Sequence, residues 1–89
     1  MEKVKLKNGF TCEIDETILE DMELVEALAD AEGSNPLRIV DVVRTVLGEE
    51  QKKALYDHVR TENGRVPVDV ITDCIMEIFE NLGEDGKNS

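Results

Sequence analysis

The sequence predicts a small α+β domain, mainly α, in which an N-terminal β-hairpin precedes about four helices. Three observations lead there. Apolar and charged residues alternate strictly over 3–14, apolar residues recur every three or four positions after Asp15, and 89 residues fit one compact core. A single globular domain is expected over 1–82. A chain of this size buries a modest core, so its stability is expected to be marginal. With Phe10, Tyr56 and Phe79 as the only aromatics and no Trp, that core must be aliphatic.

The hairpin is expected over 3–14. Val4, Leu6, Phe10, Cys12 and Ile14 alternate with Lys3, Lys5, Lys7, Thr11 and Glu13, the period of a half-buried strand pair. A two-residue turn at Asn8-Gly9 would pair Leu6 with Thr11 and put the apolar residues of the two strands on opposite faces. A three-residue loop, Lys7-Asn8-Gly9 with Gly9 left-handed, pairs Leu6 with Phe10 and Val4 with Cys12 and gathers them on one face. That loop is the predicted one. An isolated hairpin is marginal, so its apolar face must rest on helices.

The first helical stretch runs over about 15–32, with Ile18, Met22, Val25 and Ala29 in one stripe and Leu24, Leu28 and Ala31 beside it. Asp15 and Asp21 are both N-cap candidates, so the stretch is either one helix or a turn followed by a helix. Gly33 closes it. If it is one helix, Glu16, Glu20, Glu23, Glu26 and Asp30 share the opposite face, and only solvent tolerates such repulsion one turn apart.

A second helix is expected over 36–47, with Asn35 as N-cap, Pro36 at the first helical position and Gly48 just past the end. Leu37, Ile39, Val40, Val42, Val43, Val46 and Leu47 cover more than half its circumference, which makes it the central helix. A third, over about 49–60, carries Leu55, Tyr56 and Val59 on one side and mixed charge on the other. The last, over about 67–82, buries Ile71, Ile75, Ile78, Phe79 and Leu82 and turns Asp69, Asp73, Glu77 and Glu80 outward. Residues 83–89 have nothing to bury and are expected to form a mobile tail.

Twenty-one acidic residues against ten basic ones leave a net charge of −11, and the excess is uneven. Residues 15–33 hold eight carboxylates and no Lys or Arg, and 66–89 are again acidic. Such a surface repels nucleic acid and anionic membranes and favours basic partners. Cys12 and Cys74 are far apart in sequence, which suits buried reduced thiols rather than a disulfide framework or a metal knuckle. No signal-peptide core and no membrane-length apolar run is present, so the expected compartment is the cytoplasm.

Few residues of the chain suit catalysis. The chain offers one histidine, His58, expected to be solvated on a surface helix, and two serines, Ser34 and Ser89, which together make no triad. The carboxylates lie on polar helix faces, where nothing raises a pKa for acid–base work. The run 30–35 has its glycine out of place for a calcium loop and Pro36 at a ligand position. There is no phosphate-cradling glycine loop, and neither serine has the setting of a carrier protein's attachment site. No catalytic residue, metal or cofactor is therefore expected, and a binding protein is expected rather than an enzyme. The acidic faces serve solubility or a basic partner, and Met76 beside Phe79 is either core edge or a partner contact. Leu24, Leu28, Met76 and Phe79, at the edges of stripes that face the core, are the candidate partner-binding residues.

The order and spacing of several short segments resemble the small tail assembly chaperones of long-tailed (siphovirus-type) bacteriophages and prophages. These are Val4-Lys5-Leu6-Lys7-Asn8-Gly9-Phe10, Glu13-Ile14-Asp15-Glu16, Asn35-Pro36-Leu37, Leu47-Gly48-Glu49-Glu50-Gln51-Lys52 and Gly64-Arg65-Val66-Pro67. The resemblance spans residues 3–82 and includes no catalytic signature. It implies a protein of the host cytoplasm, absent from the mature virion, that binds the tape measure protein, helps recruit tail tube protein and forms homo-oligomers. It also implies a longer frameshifted form extended from the region of Gly83. The competing reading from charge alone is an acidic DNA mimic or anti-repressor that binds a basic nucleic-acid-binding protein.

Overall fold

The computed structural model describes residues 1–88, with side chains described as far as Leu82. The fold is a small α+β domain in which an N-terminal hairpin lies on several helices. Strands β1 (Glu2–Lys5) and β2 (Thr11–Ile14) pair antiparallel, with Val4 opposite Cys12 and Lys5 opposite Thr11. The connection is the expected three-residue loop. Gly9 sits at φ +93, and Leu6 bonds Phe10 and Gly9 through its backbone at 2.8 and 2.9 Å. Asn8 Oδ1 also accepts the Phe10 N–H. The register puts Val4, Leu6, Phe10, Cys12 and Ile14 on one buried face, so alternation and loop length agree.

After β2 the chain makes a 3-10 turn (Glu16–Glu20) and then helix α1 (Met22–Glu32). Of the two readings of 15–32, the turn followed by a helix is the one that forms; a continuous helix does not. Both caps are used. Asp15 accepts from the Thr17 N–H, Asp21 accepts from the Glu23 N–H, and Asp21 is extended at φ −83, ψ 115. That break resets the helical phase, with a consequence for burial. α1 turns Leu24, Ala27, Leu28 and Ala31 inward at spacings of three, four and seven, while Met22, Val25 and Ala29 are exposed. The stripe expected to lead from Ile18 therefore faces outward along α1, and Ala27, absent from the sequence reading, is core.

Gly33 ends α1 as expected. The next element is a 3-10 turn (Pro36–Arg38), in which Asn35 makes no side-chain cap. Helix α2 (Ile39–Val59) begins only after it, so the helix expected from 36 starts three residues later. Gly48, at φ 78 and ψ 166, breaks α2 into arms over 39–47 and 49–59, matching the two expected helices in place; the second ends at Val59. The apolar circumference of the first arm is less buried than expected. Val42, Val43, Val46 and Leu47 are core, whereas Val40 is exposed, as is Leu37 in the turn before the arm.

Helix α3 (Val68–Asn88) begins just after Pro67 and continues past the expected end near Leu82. The tail expected to be mobile over 83–89 lies outside the residues whose side chains are described. Ile71, Cys74, Ile75, Ile78 and Leu82 are buried, with Phe79 packed at the margin. Ile14, Val42, Val43, Leu55, Ile75 and Ile78, all but inaccessible, form the centre where hairpin, α2 and α3 meet.

Polar bonds fasten the hairpin to the helices beneath it. Gln51 spans Glu13, accepting from its N–H at 2.7 Å and donating to its carbonyl at 2.8 Å. Glu77 accepts the Lys7 N–H at 2.9 Å, so this carboxylate is half-buried and engaged rather than solvated. On the other side of the domain, Arg38 holds α1 to α2. Its Nη1 donates to Asp30 at 3.0 Å, and its Nε lies 2.9 Å from Asp41 outside hydrogen-bonding geometry.

Candidate functional site

Two stripes of apolar residues on an eleven-residue helix cannot both face one core, and α1 leaves one of them to solvent. Met22 is 72% exposed and Val25 49%, and Leu19, from the turn before α1, is 41% exposed. Across from them α3 presents Met76, 41% exposed, and the half-buried Phe79. Between the two elements runs a groove of about 450 Å³ walled by Leu19, Leu24, Val25, Leu28, Met76 and Phe79.

The four residues singled out from sequence, Leu24, Leu28, Met76 and Phe79, thus lie along one groove. Their positions differ. Leu24, 2% exposed, belongs to the core and forms the floor, Leu28 and Phe79 are half-buried walls, and Met76 is open. Leu19 and Val25 complete the groove and were not singled out. Val25 was readable on the stripe with Met22 and Ala29, beside that of Leu24 and Leu28, but nothing local showed which of the two would stay open.

The groove continues. A second recess of about 140 Å³ shares Leu28 and Met76 with the first and extends to Ile39 and Val68. A third, of about 170 Å³, shares Ile39 and Val68 and ends at Val40 and Tyr56. The three form one apolar furrow along α3. Carboxylates edge it. Glu32 lines the first two recesses, and Glu26 lies one turn from Met22 and Ala29. On α3, Asp73 and Glu80 stand three and four residues from Met76. Among the described ion pairs none engages Glu26, Glu32, Asp73 or Glu80, whereas Arg38, Arg44, Lys52 and Arg60 are all paired along α2 and its approaches.

The hairpin side is arranged otherwise. His58 is exposed on α2 as expected, and its Nε2 lies 2.9 Å from the Asn8 carbonyl and its ring 5.6 Å from that of Phe10. The hairpin loop reaches over the end of α2 and supplies both partners. Asn8 Nδ2 is also 3.5 Å from Cys74 Sγ. Burial, and then the neighbouring Cys74, push the Cys12 thiol up to about 11. The Cys74 thiol is raised as well, by burial and then by Glu77, against the Asn8 hydrogen bond. Both thiols are protonated at neutral pH, the state of a packing cysteine rather than a nucleophile.

Among the described residues no group of three His, Cys, Asp or Glu converges as metal ligands would, and no helix is long and apolar enough to cross a membrane. The recesses along α3 are the apolar surface that these elements leave uncovered. No protein-family model, curated protein or solved structure matches this chain.

Proposed function

We propose that this chain is a non-enzymatic phage tail assembly chaperone that holds the tape measure protein in the host cytoplasm and helps bring tail tube protein to it. The observation that carries the reading is the open apolar furrow edged by carboxylates that lie outside the described ion pairs. A long helical client with exposed apolar surface needs reversible shielding. A greasy groove on an acidic, self-repelling carrier supplies both the contact and the solubility. The segment resemblance over 3–82 gives that holding role its biological setting.

The test is co-expression with a tape measure protein of a long-tailed phage, chosen from the genome that encodes this chain, followed by pull-down. Met76 and Leu19 are the residues to change, because both are open and neither is needed for the core. Wild type should retain the client at moderate salt, and Leu19→Ser with Met76→Ser should lose most of it with an unchanged circular dichroism spectrum. Retention by the folded double variant would place the client elsewhere. The acidic surface alone favours a second reading, an acidic mimic of DNA for a basic nucleic-acid-binding protein. In that case binding falls steeply between low and moderate salt and ignores Met76.

A further inference from the structure

The furrow has a shape and a charge that restrict its occupant. From Val68 to Phe79 its α3 wall spans twelve residues, about 16 Å at the rise of an α-helix. Its lining comes mainly from α1, α2, α3 and the two 3-10 turns and includes no strand residue, so it offers no sheet edge to an inserted strand. What it offers is a strip of aliphatic and thioether surface, with Met76 at its middle able to adapt its shape. Glu26 and Glu32 stand on one bank and Asp73 and Glu80 on the other, outside the described ion pairs.

We propose that the furrow takes a single amphipathic α-helix of about three turns, apolar along one stripe and carrying lysine or arginine on both flanks. This rests on the holding role proposed above and names the segment of the client that is held. The apolar stripe covers Val25, Met76 and Phe79, and the basic flanks meet the two acidic banks. A second copy of this chain is a poor occupant, since it brings another charge of −11 against the same carboxylates.

The experiment uses a synthetic peptide of about fourteen residues with leucines at helical spacing and lysines on both flanks, and a second peptide with glutamates in their place. Binding is followed by calorimetry and by amide chemical shifts of the full chain. The lysine peptide should bind with shifts concentrated at Val25, Leu28, Met76 and Phe79, and the glutamate peptide at least about tenfold more weakly.

The deciding variant is Val25→Glu with Met76→Glu, both at exposed positions. It makes the surface more acidic, so attraction by charge alone would tighten the lysine peptide, whereas docking in the furrow weakens it by about tenfold or more. Tighter or unchanged binding in the folded variant overturns the proposal, as do shifts confined to the hairpin or equal binding of both peptides. A dimer in sedimentation that the double variant dissolves would put a second copy in the furrow and also overturn it. Peptide binding without capture of the tape measure protein would sink the chaperone reading and leave the helix site standing. Capture without peptide binding would do the reverse.

Discussion

The two sides of α3 are built from the same kinds of residue and finish in opposite states. On one side the hairpin lays Val4, Leu6, Phe10, Cys12 and Ile14 over the helices, and none of these is more than 8% exposed. Side-chain bonds from Gln51, Glu77, Asn8 and His58 then tie strand and loop to what lies beneath. On the other side α1 leans on α2 through Leu24, Ala27 and the Arg38–Asp30 pair, and Val25, Met76 and Leu19 remain open. The difference lies in phase. A strand pair with one apolar face can bury all of it at once, whereas α1 carries two apolar stripes and has one core to offer them. The closed side serves stability, and the open side is free to bind.

The contrast can be broken most severely from the closed side. Ile14, fully inaccessible at the end of β2, should lose about 2–5 kcal/mol of stability on Ile14→Ala, measured by urea unfolding. A loss below about 1 kcal/mol would mean that the hairpin is not fastened as described. Next is Gln51→Ala, which removes both bonds to Glu13 and one to Leu47. It should cost about 1 kcal/mol and raise amide exchange at Glu13 selectively.

A smaller effect should appear with pH. The Cys12 thiol is raised from 9.0 to about 11 in the folded chain, so the folded state keeps a proton that the unfolded state gives up in that window. The associated stability is present below pH 9 and is lost as pH climbs towards 11. Cys12→Ala should flatten that part of the unfolding profile against pH, and identical profiles would remove the thiol from the account. The smallest effect belongs to the open side. Val25→Ala and Met76→Ala should each change unfolding free energy by no more than about 0.5 kcal/mol, because neither side chain is enclosed. A large loss at either would show the furrow to be core.

Much of this was legible in the residues. Asn8-Gly9 with strict alternation specified the loop and register, since a one-residue slip would have split Leu6 from Phe10 across the sheet. Gly33 and Gly48 were readable as helix ends, and the α3 stripe as a buried face. Leu24, Leu28, Met76 and Phe79 were recognisable as stripe edges, although nothing local distinguished Leu24, which became floor, from Met76, which stayed open. The exposure of His58 was readable but its contact was not, because the partner is a carbonyl fifty positions away in the hairpin loop.

By itself, then, the sequence determined the element types, the hairpin register, the aliphatic character of the core and the acidity of 15–33. These depend on period, turn chemistry and charge, which act over a few neighbouring residues. Tertiary structure alone decided which stripe of α1 faces inward, and so whether Val25 or Leu24 meets solvent. Asp15 and Asp21 were both able to cap, and both do, so the turn ends at Glu20 and α1 starts afresh at Met22. Leu24 and Ala27 reach the core once α1 begins at Met22, and the stripe left over became one wall of the furrow.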